Sequence, residues 1–163
     1  MFREMRRKKQ LLSEEKSLEV LKRNTSGVLS VLGDEGFPYG VPINYVYNDG
    51  KIYFHSAKMG HKVDSIKNYD KVSFTVIDQD KIVPEKYTSY FRSVIAFGKA
   101  RIIEDSKEME HILKVLAKKY CKEQGDKGIQ EEINKGINHV TVIEFDIIHL
   151  TGKESIELVN GEK

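Results

Sequence analysis

The sequence predicts a mainly β domain: a small antiparallel barrel of about six strands with helices packed outside it. Three observations predict this. Runs rich in β-branched and aromatic residues alternate in polarity, as in KVSFTVID (71–78), where Val72, Phe74 and Val76 face one way and Ser73 and Thr75 the other. Successive runs are joined by turn chemistry, Gly33-Asp34-Glu35-Gly36 and Asn48-Asp49-Gly50. Few helical patterns lie between the strands, which favours an antiparallel sheet over a doubly wound one.

The elements follow in order. Ser13 can cap a helix running to about Lys22, with Glu14 and Glu15 in the first turn and Leu18 and Leu21 on one side. GVLSVL (27–32) reads as a strand, and FPYGVPINYVY (37–47) continues extended. Pro38 and Pro42 mark an edge, a bulge or an opening in the ladder, because proline cannot donate to it. After the Asn48-Asp49-Gly50 hairpin signal, KIYFH (51–55) is the returning strand. SAKMG (56–60) breaks the pattern, and HKVDSIKNY (61–69) is a short helix burying Val63 and Ile66.

After the strand at 71–78, residues 79–89 are polar, contain Pro84 and read as a loop. FRSVIAFGKARII (91–103) is a long strand whose Gly98 marks a bend or a close backbone approach. Asp105, with Glu108 three residues on, caps the clearest helix, and Met109, Ile112, Leu113, Leu116, Ala117 and Tyr120 recur along one of its faces. Residues 122–138 are charged and contain glycine, which predicts a loop with at most a helical turn. HVTVIEFDIIHL (139–150) is the last long strand, and Glu154 to Val159 add a short edge.

A chain of 163 residues fits one domain, assigned to 13–163, behind a basic arm at 1–12 carrying Arg3, Arg6, Arg7, Lys8 and Lys9. The arm reads as solvated, or as a contact to a second subunit or to a cofactor phosphate. With 39% hydrophobic and 32% charged residues, the surface is heavily charged. A net charge of only +2 supplies no field to attract nucleic acid or anionic lipid, and no recognition-helix pattern follows the arm. Cys121 is the single cysteine, so no intrachain disulfide forms; it is expected to pack inertly beside the buried face of its helix. No apolar run approaches the ~20 residues of a membrane span. The segment LLSEEKSLEV is too charged for the core of a signal peptide, so a cytoplasmic location is expected.

Several chemistries lack their motifs. There is no G-x-G-x-x-G after a strand and no G-x-S-x-G elbow. Thr151-Gly152-Lys153 has no upstream phosphate-loop glycine, and the five histidines show no metal-ligand spacing. One constellation remains. KIYFHSAKMGHK (51–62) runs from a strand through small and polar residues into a helix start. Helix N-termini offer free N–H groups and a positive dipole end, here with His61, Lys62 and the Ser56 hydroxyl beside them. A phosphate cradle and a merely capped, solvated helix start are both compatible with that pattern.

The run GFPYGVPINYVYNDGKIYFHSAKMGHKVDSI (36–66) resembles the signature of the pyridoxamine 5′-phosphate oxidase-related flavoproteins, and among them the branch related to nitroimidazole-resistance (Nim) proteins. The G-x-P-x-x-x-P-x-x-Y pattern falls on Gly36, Pro38, Pro42 and Tyr45. The I-Y-x-H-x-A-x-x-G-x-K pattern falls on Ile52, Tyr53, His55, Ala57, Gly60 and Lys62. Looser agreement at 93–105 and 143–153 extends the resemblance over roughly 10–153.

The resemblance implies a flavin-binding split barrel, a homodimer with two FMN sites at its interface. Val41, Pro42, Ile43 and Asn44 would line the isoalloxazine ring, largely through backbone groups. His55, Ser56 and Ala57 would hold the ribityl chain and ring edge, and His61 and Lys62 the phosphate. Ser93 would approach the flavin from the same or the partner chain, and His149 to Lys153 would close the site. Pro42-Ile43-Asn44 stands where an oxidase of pyridoxine phosphate carries an arginine, and His61 replaces an arginine beside the phosphate lysine. The implied activity is an FMN-dependent oxidoreductase passing electrons from a small-molecule donor to a small acceptor, a nitro-aromatic among the candidates. His55 ends the KIYFH strand just before the small residues Ser56 and Ala57, and its imidazole makes it the candidate catalytic acid; the alternative is a rim histidine bonded to a neighbouring carbonyl. The alternatives are a flavin-binding or flavin-sensing protein without turnover, and a haem-handling split barrel, which would need a histidine facing an open cavity. Tyr45, Tyr47 and Tyr53 are expected to pack on the barrel wall.

Overall fold

Alternating side chains build a sheet that curls on itself. A computed structural model describes residues 2–162. Its strands are β1 (Ser26–Leu32), β2 (Pro38–Asn44), β3 (Val46–Asn48), β4 (Lys51–Ala57), β5 (Lys71–Val83), β6 (Thr88–Ile102) and β7 (Val140–Glu154). They form one antiparallel sheet in the order β2-β1-β5-β6-β7-β4-β3. The two outermost strands, β2 and β3, are consecutive in the chain and joined through Tyr45 alone. The sheet therefore closes by chain continuity, not by a hydrogen-bonded ladder. β3 pairs only with Lys51, Ile52 and Tyr53 of β4. Beyond them, Phe54–Ala57 runs past β2 without pairing to it, which leaves the barrel split along a seam. The fold is the expected mainly β split barrel with flanking helices, with seven strands instead of about six.

The interior is filled from every strand wall. Phe74 meets Tyr45 edge-on at 4.8 Å and Phe54 at 5.0 Å, surrounded by Leu29, Ile52, Val76, Val94, Ile143 and Phe145. Each such side chain contributes about 1.5–3 kcal/mol on burial. Helix α1 (Glu14–Arg23), capped by Ser13 accepting from the Lys16 amide at 3.2 Å, adds Val20 and Leu21 to this core. The Tyr45 hydroxyl donates to the Leu21 carbonyl at 2.7 Å, and burial pushes its pKa above the usual tyrosine value. Gly98 sits at a register shift between β6 and β7, where an added Cβ would lie 1.9 Å from the Asp146 carbonyl oxygen. Tyr45 and Tyr53 are buried in the wall, as expected.

A second core forms outside the barrel. Helix α3 (Ser106–Tyr120) is capped by Asp105, which accepts from the Glu108 amide at 2.7 Å. It lays Ile112 and Leu116 on Val46, Tyr53 and Val142.

The structure corrects several expectations. Residues 79–89 are not a loop: β5 and β6 continue as a paired ribbon as far as Val83↔Thr88, turning through Pro84–Tyr87. Its polar residues are tolerated because cross-strand backbone bonds run its whole length, while Val83 and Tyr90 are buried. Residues 122–138 contain a true helix, α4 (Gly125–Gly136), whose Ile129 and Ile133 are buried one turn apart. Residues 156–159 are a short helix, α5 (Ile156–Val159), not an edge strand. Ser56 and Ala57 belong to β4 rather than to a turn. Cys121 lies at the exposed end of α3 rather than packed.

Candidate functional site

β2 presents Tyr39, Val41 and Ile43 half-buried, and Pro42 and Asn44 exposed, as a strand alternation requires. β2 is an edge strand, so Pro42's missing N–H costs the outer side of the sheet nothing. Across the seam, β4 separates its three candidates. His55 and Ala57 point outward and are exposed, whereas Ser56 points inward and is buried. The Ser56 hydroxyl has no hydrogen-bond partner among the described residues.

The chain then turns into α2 (His61–Asn68) through Gly60, whose φ of +136° suits only glycine. The Val63 and Asp64 amides bond back to the Gly60 carbonyl at 2.9 and 3.1 Å, which leaves the His61 and Lys62 amides at the helix start free of intrahelical partners. His61 folds against β2, stacked on Tyr39 with centroids 4.2 Å apart, and its Nε2 accepts from the Asp34 amide at 3.3 Å. Lys62 is half-buried and has no carboxylate within ion-pair distance among the described residues.

His55 and Asn44 share a further feature. Both line an open, mainly apolar cavity of about 510 Å³ walled by α3 and α4. Sequence reasoning missed this cavity because it read α4 as a loop. The usable signal was Ile129, Ile133 and Ile137 at four-residue spacing. It also missed Tyr39 and Asp34, which hold His61.

Ser93 stands apart. It lies on β6, with β5 and β1 between it and β2, and with β7 between it and β4. It pairs with Lys153, and Phe97 with His149, so the C-terminal candidates lie beside it and not at the seam. Phe2 from the basic arm stacks on His149 at 4.5 Å. The seam thus gathers Val41–Asn44, His55, Ala57, His61 and Lys62 within one chain, and leaves Ser93 and His149–Lys153 on a separate part of the sheet.

Two buried carboxylates are fully engaged and act as struts. Burial alone would raise the Glu144 carboxyl, but Arg101 at 2.8 Å and Lys51 at 3.0 Å outweigh it and hold it below the usual carboxylate range. Its neighbour Tyr53 is pushed up to about 12, by burial first and by Glu144 next. Asp78 joins Arg23, Asn24 and Arg92 at the barrel end in the same way. Among the described residues, no group of three or more His, Cys, Asp or Glu could hold a metal ion.

The geometry can be set beside known proteins. A family model described as pyridoxamine 5′-phosphate oxidase matches residues 13–154. No curated protein matches the chain. Among solved structures, a candidate 5-nitroimidazole antibiotic resistance protein from Bacteroides thetaiotaomicron is 24% identical with a TM-score of 0.71, covering 88% of this chain and 86% of its own. A conserved hypothetical protein from Mycobacterium tuberculosis is 18% identical with a TM-score of 0.83, over 98% and 94% of the two chains. The flavocytochrome Anf3 from Azotobacter vinelandii is 17% identical with a TM-score of 0.75, over 93% and 72%. At these identities the likeness is one of fold.

Proposed function

The chain belongs to the pyridoxamine 5′-phosphate oxidase family, and on that premise we propose that it binds FMN along the β2/β4 seam and works as a homodimeric oxidoreductase, moving electrons from a small-molecule donor to a small acceptor. One observation carries the reading. Two strand edges without a strand partner run along the seam toward a helix N-terminus whose lysine has no ion pair among the described residues. A bound cofactor suits that arrangement: backbone groups of Val41–Asn44 hold the ring, and the α2 amides with Lys62 and His61 hold the phosphate. The Ser56 hydroxyl is buried on the inward face of β4, opposite His55 and Ala57, and takes no part in this placement. The likeness to a flavocytochrome supports a flavin in particular.

When bound, the flavin supplies the redox chemistry, and the protein supplies placement and protons. His55 makes no hydrogen bond to the described residues and borders the cavity, so its ring nitrogen is free to hold a proton for the acceptor. Pro42-Ile43-Asn44 supplies no guanidinium for a substrate phosphate, which directs the reading away from pyridoxamine phosphate itself. Ser93 can reach a seam only from a second copy, which is why the reading includes a dimer. A cytoplasmic location belongs to it as well; among the described residues, no helix is long and apolar enough to cross a membrane.

The test is a paired titration. Wild-type protein should bind FMN and riboflavin, and Lys62→Ala should lose about ten-fold or more for FMN, since a charge-assisted bond contributes roughly 1.5–3 kcal/mol. Riboflavin, without the phosphate, should hardly change. Equal losses for both ligands would place Lys62 elsewhere.

A second reading has one observation in its favour. His55 faces a cavity, which is what a haem-handling barrel requires. A Soret band in the purified protein, lost in His55→Ala, would replace the flavin reading.

A further inference from the structure

The α3/α4 cavity is more than a packing gap. Its volume of about 510 Å³ falls in the range of small-molecule sites, roughly 300–1,000 Å³. Leu113, Leu116 and Ala117 form one wall, and Ile133 and Ile137 the other. It is an open groove, with Asn44, His55, Tyr120 and Glu132 exposed along its rim and apolar side chains forming most of its surface.

The floor is selective. Tyr120 reaches the cavity, but its hydroxyl is engaged with the Thr25 carbonyl at 2.6 Å and also lies against the Tyr45 carbonyl; its ring is the part left to a ligand. Asn44 donates to Thr25 at 3.0 Å, which leaves its second N–H and its carbonyl oxygen. His55 has no partner among the described residues. The polar offer is therefore small and sits at one end, where β2 and β4 flank the seam. Lys119, half-buried on α3, is not among the lining residues; its ammonium donates to the Asn24 carbonyl and to the Tyr45 carbonyl that the Tyr120 hydroxyl also meets, 5.6 Å from the Tyr120 ring. Among the lining residues, the one side chain of fixed charge is Glu132 on the exposed surface of α4, which already pairs with Lys135 at 3.7 Å. An ionic ligand laid against these apolar walls would give up hydration without a free counter-charge among the lining residues, which is costly.

We propose that this cavity is the substrate site of the oxidoreductase, and that its ligand is a small, uncharged, flat aromatic molecule with a hydrogen-bond-accepting oxygen at one edge. The aromatic body lies between α3 and α4. The oxygen meets the His55 imidazole and the free Asn44 N–H at the floor, beside the seam. The inference rests on the flavin reading for the identity of the site as a substrate site, and on the cavity alone for binding.

Prodan, an uncharged naphthalene ketone whose emission shifts to the blue in apolar surroundings, is a suitable probe. The wild-type protein should bind it saturably with a blue shift. Gly136 lines the cavity, and a Cβ added there meets nothing within 4 Å, so Gly136→Phe enters open space. This variant should lose about ten-fold or more in prodan affinity. Ala117→Leu, on the opposite wall, should do the same and serves if the first variant fails to fold. In His55→Ala the bound probe should emit further to the blue, because its carbonyl loses a donor. Absence of binding by the wild type, or equal affinity in the filled variants, overturns the proposal. FMN titrations on the same samples keep the two readings separate. FMN affinity should survive both fillings, and joint loss of FMN and prodan would mean that the cavity belongs to the cofactor. If no sample binds FMN while prodan still discriminates, the flavin reading fails and the cavity remains a ligand site.

Discussion

Tyr39 and His61 stack with centroids 4.2 Å apart and planes 12° from parallel, bridging edge strand β2 and the first residue of α2. The contact pins the helix start to one side of the seam. The Asp34 amide donates to His61 Nε2 from the turn between β1 and β2, so the ring is held on two sides. In the proposed site, this clamp sets where the phosphate end of the cofactor lies.

Removing the clamp should act on the phosphate end alone. Tyr39→Ala should weaken FMN by about three- to ten-fold, the scale of one aromatic contact, and leave riboflavin nearly unchanged. Calorimetric titration of both ligands checks this, and a loss shared equally by the two would detach His61 from the phosphate.

His55 has a different expected signature. A positioned acid is typically worth about 10²–10⁴ in rate, so His55→Ala should keep FMN and lose most acceptor reduction. Steady-state turnover beside flavin fluorescence separates the outcomes. Loss of FMN would make His55 a cofactor ligand, and retention of both functions would make it a bystander.

The dimer can be tested at Ile77. This side chain is 66% exposed on β5, directly opposite Ser93 on β6. Apolar exposure at such a position suits a symmetric interface. Ile77→Glu should give a monomer by light scattering at micromolar concentration and should weaken FMN if the partner contributes to each site. A wild-type monomer with FMN bound would remove the dimer from the reading.

Asp78 sets part of the acid stability. Burial would raise its carboxyl, but Arg23, Asn24 and Arg92 outweigh burial and hold it below the usual value. A depressed folded-state pKa stabilises at pH above the unfolded value of about 4 and ceases to do so as pH falls through the folded one. Asp78→Asn should therefore cost about 1–3 kcal/mol at pH 7, and the gap to wild type should narrow below about pH 4. Thermal melts across pH 3–7 measure it, and a constant gap would show that the cost is packing rather than charge.

Much of the fold was legible because its signals are short-range. Asn48-Asp49-Gly50 specifies its hairpin, with Asp49 and Gly50 both at positive φ, and Ser13 and Asp105 cap the helices they precede. Val72, Phe74 and Val76 alternate inward as their spacing requires. α4 was not legible, because its charged surface and three glycines hide an isoleucine stripe that matters only against α3. The ribbon at 79–89 was hidden in the same way: polar residues pair as strands once β6 lies alongside.

By itself, the sequence determined which segments are strands, where they turn, and that histidine, lysine and small residues gather at a helix start. Local sterics, caps and turn preferences act over a few residues, so a few residues suffice to read them. The tertiary structure decided the seam, the opposite facing of His55 and Ser56 on β4, the remoteness of Ser93, and the cavity under α3 and α4. Those depend on pairings such as Phe54 with Ile143 and Ser93 with Lys153, which bring distant segments into register, and on one sheet whose end strands are joined through Tyr45 and not by hydrogen bonds.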